Sequence, residues 1–379
     1  MQEDIRLGTI DDIPIGVNWS IVLIFVLVVW ELSELVLPGY HPHDAVATYW
    51  IVGTAATVLF FASLLAHEVS HAILARRNGV GVRRITFWLF GGVSELEGDA
   101  LTPGADFRIA AVGPLTSFVL AVVFAGVGAL IRPWGLVSSA AGWLAWMNAL
   151  LGAFNMIPAA PLDGGRVLRA LLWRRGGDHA RATVSAARVG QGFAYLLVTV
   201  GVLEFLTVSI GGLWFVFLGW FLLSAARAEE NSATIDATLT NVRIRDVMTP
   251  QPTTFSSSTT VADLLDTHLQ HIHFSSFPLV GGDHQLEGLA TVGRIRRLPA
   301  HLRSSTRLID VACPIAEVPV GSPEELLTSL LARMQSSVDG RALVLDHAGH
   351  LVGIVSPSDV TRFLQLSMLR SSKDAPRMP

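Results

Sequence analysis

Apolar residues run together along this chain before about residue 228 and break into short, regularly spaced groups afterwards. Runs of about 18 to 25 apolar residues lie near 17–36, 48–75, 107–131, 137–157, 187–208 and 212–228, each long enough for a helix to cross a bilayer. About six spanning helices are therefore expected. Between the second and third, "VRRITFWLFGGV" (Val82 to Val93) has the β-branched and aromatic content of a strand pair. Beyond residue 228 short apolar strands alternate with amphipathic helices in two copies of one unit, 243–300 and 308–366. Residues 229–242 read as a linker and 367–379 as a disordered tail. The predicted fold is a polytopic α-helical membrane domain over 1–228, with a short β hairpin or sheet, followed by an α/β tandem repeat.

Composition agrees with that division. Of 379 residues 51% are hydrophobic and 15% charged, and the mean hydropathy is +0.50, outside the range of ordinary soluble proteins. Arginines orient the spans. Arg76, Arg77, Arg83, Arg84 and Arg108 surround the second loop, Arg166, Arg169, Arg174, Arg175 and Arg181 fill the fourth, and loops one and five carry no Lys or Arg. The positive-inside rule then puts both termini and the repeat in the cytoplasm of what reads as a multi-pass plasma-membrane protein. The acidic N-terminus "MQEDIRLGTIDDIPIG" lacks a basic leader region, so the first span reads as retained. A net charge of −4 without a basic tail gives no reason to expect nucleic acid, and the single cysteine, Cys313, excludes an internal disulfide framework.

The second apolar run contains "LLAHEVSHAILARR", Leu64 to Arg77. His67 and His71, four apart on an uninterrupted helical pattern, share one face one turn apart, as two ligands of one Zn²⁺ require. Glu68 stands beside them and can take a proton from a metal-activated water. Ionisable groups inside a span cost roughly 2.5–3.5 kcal/mol each on insertion scales, so three together need a compensating ion or function. His67 precedes the Arg76–Arg77 pair by nine residues, which puts the chemistry roughly 13 Å inside the cytoplasmic boundary.

A zinc hydrolase needs a third protein ligand. The candidate lies in "NMIPAAPLDGGRVLRALL", Asn155 to Leu172, where Pro158 and Pro161 break the helix and Asp163 is the one carboxylate before Asp178. Broken backbone at membrane depth is tolerated where it lines a protein-enclosed or wet cavity. The plainer alternative is a helix-ending loop at the interface carrying an ordinary solvated aspartate.

With these residues in place, the chain resembles the site-2 protease family of intramembrane zinc metalloproteases. "HEVSH" is similar to its HExxH helix, and "NMIPAAPLDGG" to its Asn-x-x-Pro-x-x-Pro-Leu-Asp-Gly element, in the same order. The resemblance implies one zinc per chain held by His67, His71 and Asp163, Glu68 as base, and Asn155 as a residue holding the substrate backbone. "FGGVSELEG", Phe90 to Gly98, resembles the family's glycine-bearing strand, and Gly113-Pro114 its Gly-Pro element. The transmembrane substrate that the resemblance implies is consistent with this strand, since such a peptide bond must be unwound before water can attack it. A strand edge bearing Gly91 and Gly92 can accept such a peptide by strand addition. A hairpin that merely connects two spans is the alternative.

In the polar half, the opening segments are "VRIRDVMTPQPTTF" and "RLIDVACPIAEVPV", and the closing ones "FPLVGGDHQLEGLATVGRIRRL" and "ALVLDHAGHLVGIVSPSDVTRFL". They resemble a tandem CBS pair, a family that often binds adenine nucleotides. Its ribose position, Ser or Thr followed three residues later by Asp, is matched by Ser356 and Asp359, whereas Thr291 is followed by Arg294. Ser356 and Asp359 are equally explained as helix caps. His268, His271 and His273 read as a solvated helix face rather than a metal site.

The sequence is thus read as a bacterial six-span zinc endopeptidase. It would cut transmembrane or membrane-proximal segments of protein substrates in the lipid bilayer, with a cytoplasmic CBS pair as regulatory or homodimerisation module. The alternatives are a CBS-regulated ion or metal transporter, for which Glu204 in span five offers an extra acidic group, and a catalytically silent scaffold.

Overall fold

The computed structural model describes residues 5–11, 13–88, 91–96, 98–268, 274–282, 285–337 and 339–373. The chain divides into two units, Met1–Thr234 and Ile235–Pro379.

In the first unit, strands β1 (Ile5–Ile10) and β2 (Ile13–Val17) lead into helix α1 (Ser20–Tyr40), and α2 spans Val46–Arg77. Strands β3 (Val82–Trp88) and β4 (Gly91–Leu96) separate α2 from α3 (Pro103–Leu130). There follow α4 (Gly135–Asn155), a short α5 (Asp163–Gly176), α6 (His179–Thr207) and α7 (Gly212–Leu239). Six of these helical stretches are long and apolar enough to cross a membrane, α5 being the exception. Their outward faces are rich in exposed Leu, Val, Phe and Trp, as a lipid-facing surface requires.

The predicted hairpin is part of a larger sheet of order β1-β2-β3-β4. The N-terminal segment, read only as acidic, supplies two strands to it, and β2 pairs in parallel with β3 through Ile15 and Ile85. Ile13, Ile15, Ile85 and Phe87 pack this sheet on Ala72 of α2, so the sheet rests directly on the HEVSH helix. Leu89, Phe90 and Glu97 lie outside the described residues.

The boundary between the two units falls inside the expected linker, 229–242, but that segment is helical as far as Leu239, where α7 ends. The segment "AEENSATIDATL" is polar but holds neither Gly nor Pro and is rich in alanine and glutamate, so polarity there marks the end of the apolar span rather than of the helix.

The second unit contains two four-stranded sheets. One has the order β10 (Val320–Gly321), β11 (Ala342–Leu345), β12 (Leu351–Val355), β5 (Thr249–Pro250). The other has the order β6 (Phe255–Ser256), β7 (Ser276–Val280), β8 (Leu286–Thr291), β9 (Cys313–Pro314). Each copy's opening strand therefore closes the other copy's sheet: β5 pairs with β12 and β9 with β8. The two units of the repeat thus share their sheets, an exchange that periodicity cannot show because it locates strands without naming their partners. Helices α8 (Val292–Arg296), α9 (Leu327–Gln335) and α10 (Pro357–Lys373) complete the unit. The predicted tail from 367 is helical as far as Lys373, residues 374–379 lie outside the described residues, and so do the side chains of His268, His271 and His273.

Candidate metal centre and CBS positions

His67 and His71 lie in the C-terminal third of α2, both buried, with His67 about 15 Å from the helix end at 1.5 Å per residue. Asp163 is the first residue of α5, where the Pro-bounded loop turns the chain back toward α2. His67 Nε2, His71 Nε2 and Asp163 Oδ2 form a triangle with all three sides 3.2 Å. Donors on a tetrahedral zinc with bonds of about 2.0–2.1 Å stand about 3.3–3.4 Å apart. The triangle thus fits one face of a zinc site, and a His₂Asp donor set suits that ion. Among the described residues no fourth His, Cys, Asp or Glu joins this cluster.

The ring orientations come from α3. His71 Nδ1 donates to the Ile109 carbonyl at 2.6 Å, which leaves its Nε2 with the lone pair, and His67 Nδ1 lies 2.9 Å from Ser117 Oγ. Gly113 stands between these two contacts. A Cβ there would fall 2.0 Å from His71 Nε2 and 2.7 Å from His67 Nε2, so any other residue would occupy the place of the ion. Gly113 of the Gly-Pro pair therefore belongs to the site for a steric reason.

Glu68 is approached by the sheet. A Cβ on Gly92 would lie 2.3 Å from Glu68 Cγ, so glycine lets β4 close over the carboxylate, and Ser94 Oγ donates to Glu68 Oε2 at 3.3 Å. Gly91 has φ +120°, in the region that favours glycine. In the four-stranded sheet β4 is an outer strand, paired with β3 by Phe87–Gly92 and Trp88–Gly91.

The triangle, Glu68, Gly91, Gly92 and Asn155 all border one cavity of about 580 Å³. Asn155 ends α4, with Nδ2 donating to the Leu151 carbonyl at 3.1 Å. Trp214, Phe217 and Phe221 of α7 form a wall that the sequence reading missed. Their spacing of three and four residues was the available signal.

Beside the triangle a buried ion pair joins α3 to α5. Asp106, fully buried, accepts from Arg169 Nε at 2.8 Å and Nη2 at 2.6 Å. Arg169, counted among the arginines of the fourth loop, lies on α5 and is buried. Asp106 had drawn no notice, because a single carboxylate at a helix start reads as solvated. Glu204 also changes meaning: it lies in the last turn of α6, and its side chain accepts from Ser209 Oγ at 3.4 Å, so it serves the loop after the span.

In the second unit Asp359 is buried with four donors on its two oxygens. Thr249 Oγ1 and Arg362 Nη2 reach Oδ1 at 2.8 Å each, and Ser356 N and Oγ reach Oδ2 at 2.9 and 2.5 Å. An ionised carboxylate offers about four lone-pair sites, so none is left for a ribose hydroxyl. Thr249 comes from the exchanged strand β5. At the matching place Thr291 caps α8, and Arg294 Nε donates to Asp339 Oδ2 at 2.7 Å. Cys313 is buried in the core, where burial pushes its thiol pKa up, against a nucleophilic role.

Residues 55–133 and 131–199 match the model of Peptidase family M50, and residues 244–301 and 310–366 each match that of the CBS domain. Rip3 of Mycobacterium tuberculosis, named as a zinc metalloprotease, is 42% identical over 374 residues, covering 97% of this chain and 95% of Rip3. The zinc metalloprotease MJ0392 of Methanocaldococcus jannaschii is 28% identical over 374 residues, with 98% of each chain covered. Among solved structures, a site-2 protease from Methanocaldococcus jannaschii is 28% identical with a TM-score of 0.41, covering 60% of this chain and 94% of that one. The chain belongs to peptidase family M50, the site-2 protease family of zinc metalloproteases, and carries a C-terminal pair of CBS modules.

Proposed function

We propose that this zinc metalloprotease hydrolyses peptide bonds in or near transmembrane segments of membrane-protein substrates. The supporting observation is the 3.2 Å triangle of His67, His71 and Asp163, set about 15 Å along a spanning helix and open to a cavity shared with Glu68. Zinc, when bound, supplies Lewis acidity for the scissile carbonyl and the attacking water. His67, His71 and Asp163 hold it, with Ser117 and the Ile109 carbonyl fixing the two rings. Glu68 takes the proton from the attacking water and returns it to the leaving amine, while Ser94 holds its carboxylate in line. An unwound substrate segment lies along the outer edge of β4, where Gly91 and Gly92 admit its backbone, within the cavity that Asn155 also borders.

The CBS pair lies in the cytoplasm with both termini, and serves as a regulatory or homodimerisation module. Occupation of Asp359 by four internal donors favours a role that does not pass through a ribose at that residue. An adenine nucleotide, if it acts on this pair, does so through other groups.

The test is a comparison of membrane peptides from cells expressing the wild-type protein with those from cells expressing Glu68→Gln. The expected result is a set of transmembrane-derived fragments present only with wild type. Identical peptide sets, together with an ion flux in vesicles that depends on Glu68, would replace the protease by a transporter.

A further inference from the structure

Two arginines one turn apart on α5 have different surroundings. Arg169 is buried and holds Asp106 through two hydrogen bonds. Arg166 follows Asp163 by three residues and so lies on the same helix face, one turn from the ligand carboxylate. Its side chain borders the cavity and is 26% exposed. Its ion-pair distance is 3.5 Å, to the same Asp106 Oδ1 that Arg169 holds at 2.6 Å. A guanidinium has five N–H donors, and among the described residues the long contact to Asp106 Oδ1 is the one side-chain partner of Arg166, so donor capacity remains for a group entering the cavity that Arg166 borders. Among the described residues bordering that cavity, Arg166 is the one permanent cation, within walls made largely of Leu, Phe and Trp.

We infer that Arg166 determines specificity by receiving an acidic side chain of the substrate, Asp or Glu, close to the scissile bond. This rests on the proteolytic reading above. The planar guanidinium fork matches a carboxylate bidentately, and an apolar-walled cavity strengthens such a pair over its value in water. The other anionic groups nearby do not fill the role. Glu68 and Asp163 converge on the triangle, and Asp106 is held by Arg169. Glu229 of α7 stands within electrostatic reach of Arg169 and Arg166, yet no ion pair of Glu229 occurs among the described residues. Glu229 is not among the residues that border the cavity.

The test uses the full chain in lipid nanodiscs and substrates carrying Glu, Gln or Lys at successive positions around the cleaved bond. Wild type is expected to favour Glu over Lys at one position by about ten- to hundredfold in kcat/KM. Arg166→Gln should bring that ratio near one, Arg166→Lys should keep its sign, and Arg166→Glu should invert it. Bound zinc should stay unchanged in all three variants. Substrate affinity measured on Glu68→Gln protein, which separates binding from turnover, should follow the same charge order. A wild-type ratio near one, or Arg166→Gln lowering all substrates by one common factor, would overturn the inference and leave Arg166 a support for Asp106. Failure to cut any substrate would remove the proteolytic reading and this one with it, whereas cleavage without charge preference removes this one alone.

Discussion

The triangle at His67, His71 and Asp163 and the carboxylate of Asp359 are both buried, both acidic in part, and both hydrogen-bonded, yet they are built on opposite terms. In the first unit each ring has one nitrogen tied to a neighbour, Ser117 or Ile109, and the other turned toward a common centre with Asp163 Oδ2. In the second, every acceptor site of Asp359 is filled by Thr249, Ser356 or Arg362. Burying a polar group with an open valence is costly, so a protein that keeps several such valences converging on one point keeps them for a ligand. A buried carboxylate with no valence open is a structural tie. A motif match treats the two alike, and the hydrogen-bond inventory separates them.

The strongest way to break this comparison is at Glu68. Glu68→Gln should lower kcat by about 10²–10⁴-fold, the usual contribution of a general base, while zinc measured by mass spectrometry stays at one per chain. Asp163→Ala should instead remove the zinc together with the activity, and an unchanged zinc content would take Asp163 out of the ligand set. Next in size is the buried Asp106–Arg169 pair. Arg169→Gln leaves Asp106 only its 3.5 Å contact to Arg166 and should cost about 3–5 kcal/mol in a denaturation assay in detergent. A loss under 1 kcal/mol would mean water reaches Asp106.

A finer probe is Gly113→Ala. The added Cβ collides with both Nε2 atoms, so zinc affinity should fall by about 10–100-fold by competitive chelation. Gly142→Ala, on α4 with open space at its Cβ, should leave zinc affinity as it is. Equal behaviour of the two variants would show that the site relaxes freely around Gly113. Smallest is the effect at Asp359, where Asp359→Asn should reduce stability by about 1–3 kcal/mol through its lost charge-assisted hydrogen bonds. Calorimetry on the full chain with ATP, ADP or AMP should show no binding that depends on Asp359. Nucleotide binding that Asp359→Asn abolishes would erase the distinction between the two regions.

Much of this molecule was legible in its residues because the relevant physics is local. A bilayer demands about twenty apolar residues per helix, so spans can be counted directly. An i, i+4 spacing puts His67 and His71 on one face without knowledge of the rest of the chain. The Pro-bounded segment before Asp163 likewise announces broken backbone. Where reading failed, the deciding fact lay in another element. Thr249 completes a carboxylate on α10, and Arg169 is interior because Asp106 stands opposite it. The segment after span six was misread for a different reason, since polarity reports the end of the membrane and helix propensity reports the end of the helix.

Sequence by itself determined the six apolar spans, the pair of histidines with Glu68 between them, the aspartate in a broken segment, and a repeat of strands and helices, because each depends on residues within a few turns of one another. Tertiary structure decided which of these groups meet. It brought Asp163 to 3.2 Å from both rings, laid β4 over Glu68, exchanged the opening strands of the CBS modules, and filled Asp359 while leaving Arg166 only a 3.5 Å contact to Asp106. Distances between residues about a hundred positions apart follow from how helices and sheets pack, and no local pattern carries that information.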